Sequence, residues 1–508
     1  MNRVLAIDLG ASSGRITLAG FDGSTISLEE VHRFANDPVR VNGTFYWDIL
    51  RIFHEIKAGI AKASASGGFD TVGIDAWGVD FALIDACGRM IDMPVHYRDD
   101  RTGDWRKLFE RIPKEELYRT TGIQNIQINT ICQLDYLARK RPEDIERAKA
   151  FLMIPDLLNY FLTGELNNEY TNASTTQLLD ANERAWSRPL LEKLGLDKAV
   201  FKDVVLPGTR CGPLLKDVCE ETRSGPAEVY CIASHDTASA VLASPAATAP
   251  ARDGCIFISS GTWSLIGTEL EAPLISEAAL RHNFTNEGGV RAAAQGLQAG
   301  ICFLKNIMGS FLIQESRRQW ALEGKAYSFD DLDRLCEAAP HVGSYIDVDD
   351  PVFIRDGDIP SRIAAYCEKT GQRAPQTEGE TMRVICESLA LKYRHVREAI
   401  EECTGKGMEA VHIIGGGSKS GTLCRMTASA TGLPVFAGPS EATTLGNAAV
   451  QWIASGDLGS VREAREAVKK AFPQREYLPE GSLDGGGLLD GAYEMFLNVL
   501  SKRKSDAE

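Results

Sequence analysis

Apolar residues in this chain fall into short runs bounded by polar turns, interleaved with longer stretches where they recur every three or four positions. The runs at 4–7, 16–21, 71–76 and 80–84 read as strands, while 105–164 carries the helical period over much of its length. Pro155 and Asp156 suit the first turn of a helix there, and Gly164 suits its end. A strand at 228–233 leads through Ser234-His235-Asp236-Thr237 into the small-residue segment 238–243. The segment 302–309, with Lys305 and Asn306, reads as helical.

Strand signals resume at 255–258 and 263–266. Met382, Ile385, Leu389, Tyr393, Val396 and Ile400 then mark one face of a helix closed by Gly405. A strand at 411–414 runs into Gly415-Gly416-Gly417, followed by a helix of small residues, a strand at 434–437 and the turn Gly438-Pro439-Ser440-Glu441. Strands alternating with helices in both halves predict an α/β protein with mixed sheets flanked by helices. The proline-bearing stretch 244–250 marks a boundary, giving domains at 1–245 and 246–455 and helices with a polar tail at 456–508.

Two parts of this pattern are built alike. The strand at 4–7 passes through Asp8-Leu9-Gly10-Ala11-Ser12-Ser13-Gly14-Arg15 into 16–21, and 255–258 passes through Ser259-Ser260-Gly261-Thr262 into 263–266. Glycine lets a backbone turn tightly, and consecutive N–H groups in such turns cradle anions. Each alone is an ordinary β-hairpin; one in each half, with Asp8 at the mouth of the first, points to a bound polyphosphate.

Composition narrows the class. At 508 residues the chain is expected to form two large domains, and 70 acidic against 55 basic residues give a net charge of −15. That balance argues against a nucleic-acid partner, which would need a basic face. It also means that a phosphate would be held by backbone N–H groups and a divalent metal. No apolar stretch approaches the roughly 20 residues of a membrane span, and the first residues lack a signal peptide's apolar segment, so a cytoplasmic protein is expected. The 12 cysteines, among them Cys87, Cys231, Cys255, Cys386 and Cys424, show no zinc-ligand spacing and read as reduced core thiols.

Several segments carry chemistry, each with a plainer reading beside it. Asp8 ends a buried strand before a glycine turn, where one carboxylate suffices for a largely hydrated Mg²⁺; it also suits turn initiation. Asp236 follows a strand and opens a helix, where α/β sheets place ligand-binding residues, and can take the proton of an attacking hydroxyl; Asp also caps helices. Gly73-Ile74-Asp75-Ala76-Trp77-Gly78-Val79-Asp80-Phe81 has the aromatic and acidic residues of a carbohydrate site, with Trp77 itself better read as core. Gly415-Gly416-Gly417 fits neither GxGxxG nor a P-loop, which disfavours a nicotinamide-dependent dehydrogenase.

Taken together, Ala6-Ile7-Asp8-Leu9-Gly10-Ala11-Ser12-Ser13-Gly14-Arg15, Ile74-Asp75-Ala76-Trp77-Gly78-Val79-Asp80-Phe81, His235-Asp236-Thr237-Ala238-Ser239-Ala240-Val241, Ser260-Gly261-Thr262-Trp263-Ser264-Leu265 and Leu304-Lys305-Asn306-Ile307-Met308-Gly309 resemble the FGGY carbohydrate kinases. The resemblance runs from Val4 to about Trp452 and implies two actin-like, ribonuclease-H-like domains with a cleft between them. It implies that Asp8 organises Mg²⁺ and that Ala11, Ser12, Ser13, Gly14 and Arg15 hold the phosphates of ATP. Gly78, His235, Thr237 and Asn306 are then expected at a ketose and Asp236 as the base on its O1 hydroxyl. Thr262, Gln314, Gly416 and Gly417 are expected at the nucleotide. Where the family has Gln-Asn and a further Gln after the glycines, this chain has Lys419-Ser420 and Arg425.

The resemblance implies transfer of a phosphoryl group from ATP to O1 of L-rhamnulose, and a monomer or homodimer is expected. The rivals are a family kinase for L-fuculose, L-xylulose or glycerol, and a non-catalytic actin-like protein that binds sugar or ATP.

Overall fold

The computed structural model describes residues 2–245, 254–291, 296–355, 357–480 and 489–507. The chain divides into two compact units, neither of them continuous in sequence. The first comprises Met1–Thr248, Glu269–Leu304 and Ala442–Ala471; the second comprises Ala249–Thr268, Lys305–Glu441 and Phe472–Glu508. The boundary segment at 244–250 falls largely outside the described residues.

The first unit is built on a six-stranded mixed sheet in the order Thr209–Pro213, Glu228–Cys231, Thr71–Ala76, Asn2–Leu9, Ser13–Phe21, Ile26–Ala35. Asn2–Leu9 and Glu228–Cys231 both run parallel to Thr71–Ala76, and the outer pairs are antiparallel. Val4, Leu5, Ala6 and Ile7 are wholly buried, which explains their unbroken apolar run: a strand covered on both faces has no solvent side to alternate toward. The C-terminal ends of the three parallel strands carry Asp8, Asp75 and the turn to Asp236, the edge where such sheets place ligands.

Helices cover this sheet. Ala442–Ser455, far along the chain, lies on the helix Asp236–Ala243 so closely that a Cβ on Gly446 would come within 1.8 Å of the Ser239 carbonyl oxygen. Only glycine allows that approach. Gln451 in the same helix accepts from Thr71 Oγ1 at 2.6 Å and donates to the Leu5 carbonyl at 3.2 Å, tying the helix to two strands.

The second unit holds five strands of a mixed sheet in the order Trp263–Leu270, Cys255–Ser260, Ala410–Ile414, Val435–Ala437, Arg475–Tyr477, the middle three parallel. The helix Glu378–Thr404 carries the predicted apolar face, and Gly405 ends it with φ +67°. Lys392 of that helix is buried between Asp347 Oδ1 at 3.0 Å and Asp349 Oδ2 at 2.8 Å.

Two helical readings are corrected. Residues 150–153 form a strand, Ala150–Met153, paired antiparallel with Phe81–Ile84 inside the stretch read as helix. Residues 302–308, with Lys305 and Asn306, belong to the strand Gln298–Met308, whose first part pairs antiparallel with Thr285–Arg291. Periodicity does not separate a short apolar strand from a buried helical segment, and the partner strand decides the outcome. All twelve cysteines are free thiols and eight are buried; Cys87 is exposed in a turn, contrary to the core reading. Among the described residues no helix is long and apolar enough to cross a membrane.

Candidate active site

In the first unit, the segment that carries His235, Asp236 and Thr237 is anchored from below by a buried carboxylate. Glu169 Oε2 accepts from Ser234 N at 3.1 Å, Ser234 Oγ at 2.6 Å and Thr171 Oγ1 at 2.6 Å. Asn172 Nδ2 donates to the Ser234 carbonyl, and His235 N donates to Thr171 Oγ1. With its backbone satisfied on both sides, the turn has little freedom, and Asp236 becomes the first residue of the helix Asp236–Ala243.

Asp236 is a third exposed, and its Oδ1 accepts from Thr237 N at 2.6 Å. The protein around it strips away enough water to push its carboxyl up to about 6, against the pull of the Thr237 hydrogen bonds. It is thus ionised at neutral pH yet basic enough to receive a proton. His235 is buried, with Nε2 3.5 Å from Asp236 Oδ1 and Nδ1 3.4 Å from Glu287 Oε2. Thr237 is buried beside them.

Gly78 lies on the neighbouring strand's continuation, where a Cβ would come within 2.9 Å of the Thr175 side chain. The next residue, Val79, adopts φ +67°, costly for a β-branched side chain. That conformation is held by Thr175 Oγ1 on its N–H and by Thr130 and Gln133 on its carbonyl, the over-determination expected where strain serves a site. Trp77 is core, as read from the sequence, with its ring 3.9 Å from that of Trp47. Both indoles donate to Asp80 Oδ2, at 2.6 Å from Trp47 and 3.1 Å from Trp77, and burial pushes Asp80 up to about 6.

Asp8 stands opposite Arg15 and Asp75 in the sheet register. Arg15 Nη2 approaches its Oδ2 to 3.0 Å, and Thr444 Oγ1 donates to the same oxygen. Asp75 is fully buried; burial, with Asp8 beside it, holds its carboxyl well above the usual range. Asn447 Nδ2 donates to Asp75 Oδ2, while Oδ1 has no hydrogen bond among the described residues. In the turn between, Gly10 N donates to the Ser13 carbonyl, Ala11 and Ser13 are half-buried and Ser12 is exposed. Gly14 is buried against the Phe34 ring, leaving no room for a side chain. Among the described residues no group of three or more His, Cys, Asp or Glu side chains is placed to share a metal ion.

In the second unit Thr262 meets Gln314, and Gly416 and Gly417 lie against Ser260. Thr262 Oγ1 donates to Gln314 Oε1 at 3.3 Å, and Thr262 O accepts from Phe311 N. Gly415 has φ +79° and precedes the 3₁₀ turn Gly416–Lys419, which lies on the Ser260 loop: a Cβ on Gly417 would meet Ser260 Oγ at 2.0 Å. Asn306 is half-buried on its strand. The residues that depart from the family pattern are used structurally. Ser420 caps the helix Gly421–Thr431, Arg425 pairs with Glu337 and Lys419 with Glu441.

Two matches cover most of the chain: the N-terminal domain of the FGGY family of carbohydrate kinases matches residues 3–243 and the C-terminal domain residues 256–455. The chain belongs to the FGGY family of carbohydrate kinases. Proteins named rhamnulokinase are among its relatives. The one from Halalkalibacterium halodurans is 41% identical over 480 residues, covering 94% of this chain and 99% of the relative. That from Bacteroides thetaiotaomicron is 39% identical over 497 residues, covering 97% and 99%. Ligand-bound xylulose kinase from Lactobacillus acidophilus superposes with a TM-score of 0.78 at 15% identity, covering 100% and 99% of the two chains. Plasmodium falciparum glycerol kinase with ADP gives 0.75 at 14% identity, covering 100% and 98%. This FGGY chain therefore shares the fold of those kinases, and its family chemistry is phosphorylation of a sugar or polyol.

Sequence reasoning named the motif residues and missed those that hold them. Glu169, Thr171 and Asn172 left one signal, an acidic residue ahead of a short helix start. Thr444 and Asn447 left none, because their partners Asp8 and Asp75 are distant in sequence.

Proposed function

We propose that this chain transfers the terminal phosphoryl group of ATP to O1 of L-rhamnulose, giving L-rhamnulose 1-phosphate and ADP. The observation that carries the reading is Asp236: a partly exposed carboxylate at a helix start, ionised at neutral pH, raised by burial and fixed by Thr237. Phosphoryl transfer asks mainly for positioning, with a base to take the acceptor's proton. Asp236 orients the O1 hydroxyl and accepts its proton as oxygen attacks phosphorus. Gly78, His235, Thr237 and Asn306 contact the ketose. The sugar is thus bound mainly by the first domain, 1–245, and the nucleotide mainly by 246–455.

A bound Mg²⁺ neutralises phosphate charge. The residues present fit such an ion: Mg²⁺ keeps most of its waters and takes one or two carboxylates, and Asp8 sits at a strand end beside the phosphate-type turn Ala11, Ser12, Ser13, Gly14 and Arg15. Thr262, Gln314, Gly416 and Gly417 serve the nucleotide, supported by the Thr262–Gln314 hydrogen bond and by the approach of Gly417 to Ser260 in the turn that carries Thr262. The rhamnulokinase names of relatives near 40% identity favour L-rhamnulose over its epimers.

A coupled assay of ADP release tests the proposal, with L-rhamnulose run beside L-fuculose, L-xylulose, D-gluconate and glycerol. L-Rhamnulose is expected to give the highest kcat/KM. Preference for another acceptor overturns the substrate, and ATP binding without sugar-stimulated turnover overturns the enzyme.

A further inference from the structure

We propose that Val79 is a specificity-determining residue of the sugar site, whose isopropyl group packs against the terminal methyl of a 6-deoxyketose and selects it over the corresponding 6-hydroxy sugar. This rests on the reading of the chain as a ketose kinase with Asp236 at O1. It assigns what meets the opposite end of that substrate.

Val79 sits at the tip of a three-residue turn. Asp80 N donates to the Gly78 carbonyl at 2.9 Å across it, and Val79 has φ +67°. This is the γ-turn of the rarer, strained hand, and a β-branched side chain makes it costlier still. Trp77 and Asp80 on either side are buried, whereas Gly78 and Val79 are half-buried, so the chain reaches the surface at these two residues. The strain is held from three directions. Val79 N donates to Thr175 Oγ1 at 3.0 Å, and its carbonyl accepts from Thr130 Oγ1 at 2.6 Å and Gln133 Nε2 at 3.2 Å. A strained residue so over-determined points to a role in what it presents outward.

What it presents is apolar. The Val79 N–H and both lone pairs of its carbonyl are spent on the protein, which leaves the isopropyl group to meet a ligand. A hydroxyl laid against that group gives up water without gaining a partner, whereas a methyl loses no hydrogen bond. The turn also stands beside the one that carries the proposed base. Asn172 Nδ2 donates to the Trp77 carbonyl at 3.4 Å and to the Ser234 carbonyl at 3.2 Å, and Ala76 N donates to the same Ser234 carbonyl at 2.9 Å. Two turns thus leave the sheet side by side, one bearing Asp236 and the other Gly78 and Val79.

The chemistry of the substrate matches this division. In a 6-deoxyketose every carbon carries oxygen except C6, and C6 lies at the far end of the chain from O1. L-Rhamnulose and L-fuculose end in that methyl; L-fructose and L-tagatose, in the same order, differ from them only by a hydroxyl there. An apolar surface does not exclude a hydroxyl outright, so a preference of roughly 10- to 100-fold in kcat/KM is expected rather than an absolute one. Val79 takes no part in proton transfer, and its effect lies in the ratio between sugars.

ADP release by the full chain, measured on the two pairs L-rhamnulose with L-fructose and L-fuculose with L-tagatose, reads that ratio. The wild type is expected to favour the 6-deoxy member of the pair it accepts. Val79→Thr keeps the branched shape and the backbone strain but replaces a methyl by a hydroxyl. It is expected to bring the ratio to within a few-fold of one, through a loss on the 6-deoxy sugar and none on its 6-hydroxy counterpart. Val79→Ala is expected to narrow the ratio in the same way and serves if the Thr variant does not fold. Val79→Gly removes side chain and strain together, and is expected to raise the urea midpoint while abolishing the preference. Equal use of both sugars by the wild type overturns the proposal, as does a ratio that the Thr and Ala variants leave unchanged; in both cases the kinase reading stands. A chain that phosphorylates none of the four sugars overturns the ketose-kinase reading and the role of Val79 with it.

Discussion

Arg15 Nη2 lies 3.0 Å from Asp8 Oδ2 across the first hairpin, so the carboxylate proposed to meet a divalent ion is held by the turn proposed to meet phosphate. On the proposed reading a phosphate at that turn would compete for Arg15 and free Asp8 to hold the ion. Asp8→Ala is expected to raise the Mg²⁺ concentration needed for half-maximal turnover and to depress kcat, with sugar affinity retained. A magnesium titration of the variant checks this, and unchanged metal dependence removes Asp8 from the role.

Asp236 must be ionised to accept a proton, and its carboxyl is pushed up to about 6. Turnover is therefore expected to climb as pH rises through about 6 and to level off above it. Asp236→Asn is expected to lower kcat by roughly 10²- to 10⁴-fold with a smaller change in KM, the range for a lost general base. Initial rates between pH 5 and 8 test both points; an acid limb displaced well away from 6 would point to a different group.

The same residue carries a stability prediction of opposite sign. Its native carboxyl holds a proton to higher pH than an unfolded Asp, near 3.9. Through that window the native state binds more protons than the unfolded chain, so ionising Asp236 costs stability as pH rises. Asp236→Asn is expected to raise the urea midpoint at pH 8 and to leave it nearly unchanged at pH 4. A variant less stable than wild type at pH 8 would show that the carboxylate contributes to folding.

Lys392 is enclosed with Asp347 and Asp349, and the two carboxylates hold its ammonium charged despite burial. Lys392→Met leaves two acids side by side without their cation. A loss of about 3–5 kcal/mol is expected, the cost of breaking a buried pair from one side. Urea unfolding gives the value, and Lys392→Met combined with Asp347→Asn is expected to recover part of it.

Most of the strands and the motif residues were legible because their signals are local. The run at 71–76 is bounded as observed, Gly164 and Gly405 end their helices in the left-handed region, and Asp236 opens its helix after a strand. Asn306 reads as helical because the eight residues 302–309 alone do not reveal the strand Thr285–Arg291 beside them. Asn447 leaves no signal for a related reason: its partner Asp75 lies hundreds of positions away. Trp77 shows the value of the plainer reading, since its indole is spent on Asp80 and Trp47.

The first unit contains residues 442–471, and the helix that starts there supplies Thr444 to Asp8, Asn447 to Asp75 and Gln451 to Thr71. A ribosome making this protein emits Asp8 and Asp236 early but the struts beneath them nearly last. A product cut short before Ala442 would own every proposed chemical group of the sugar half and lack the brace that seats them, so competence is tied to finishing translation.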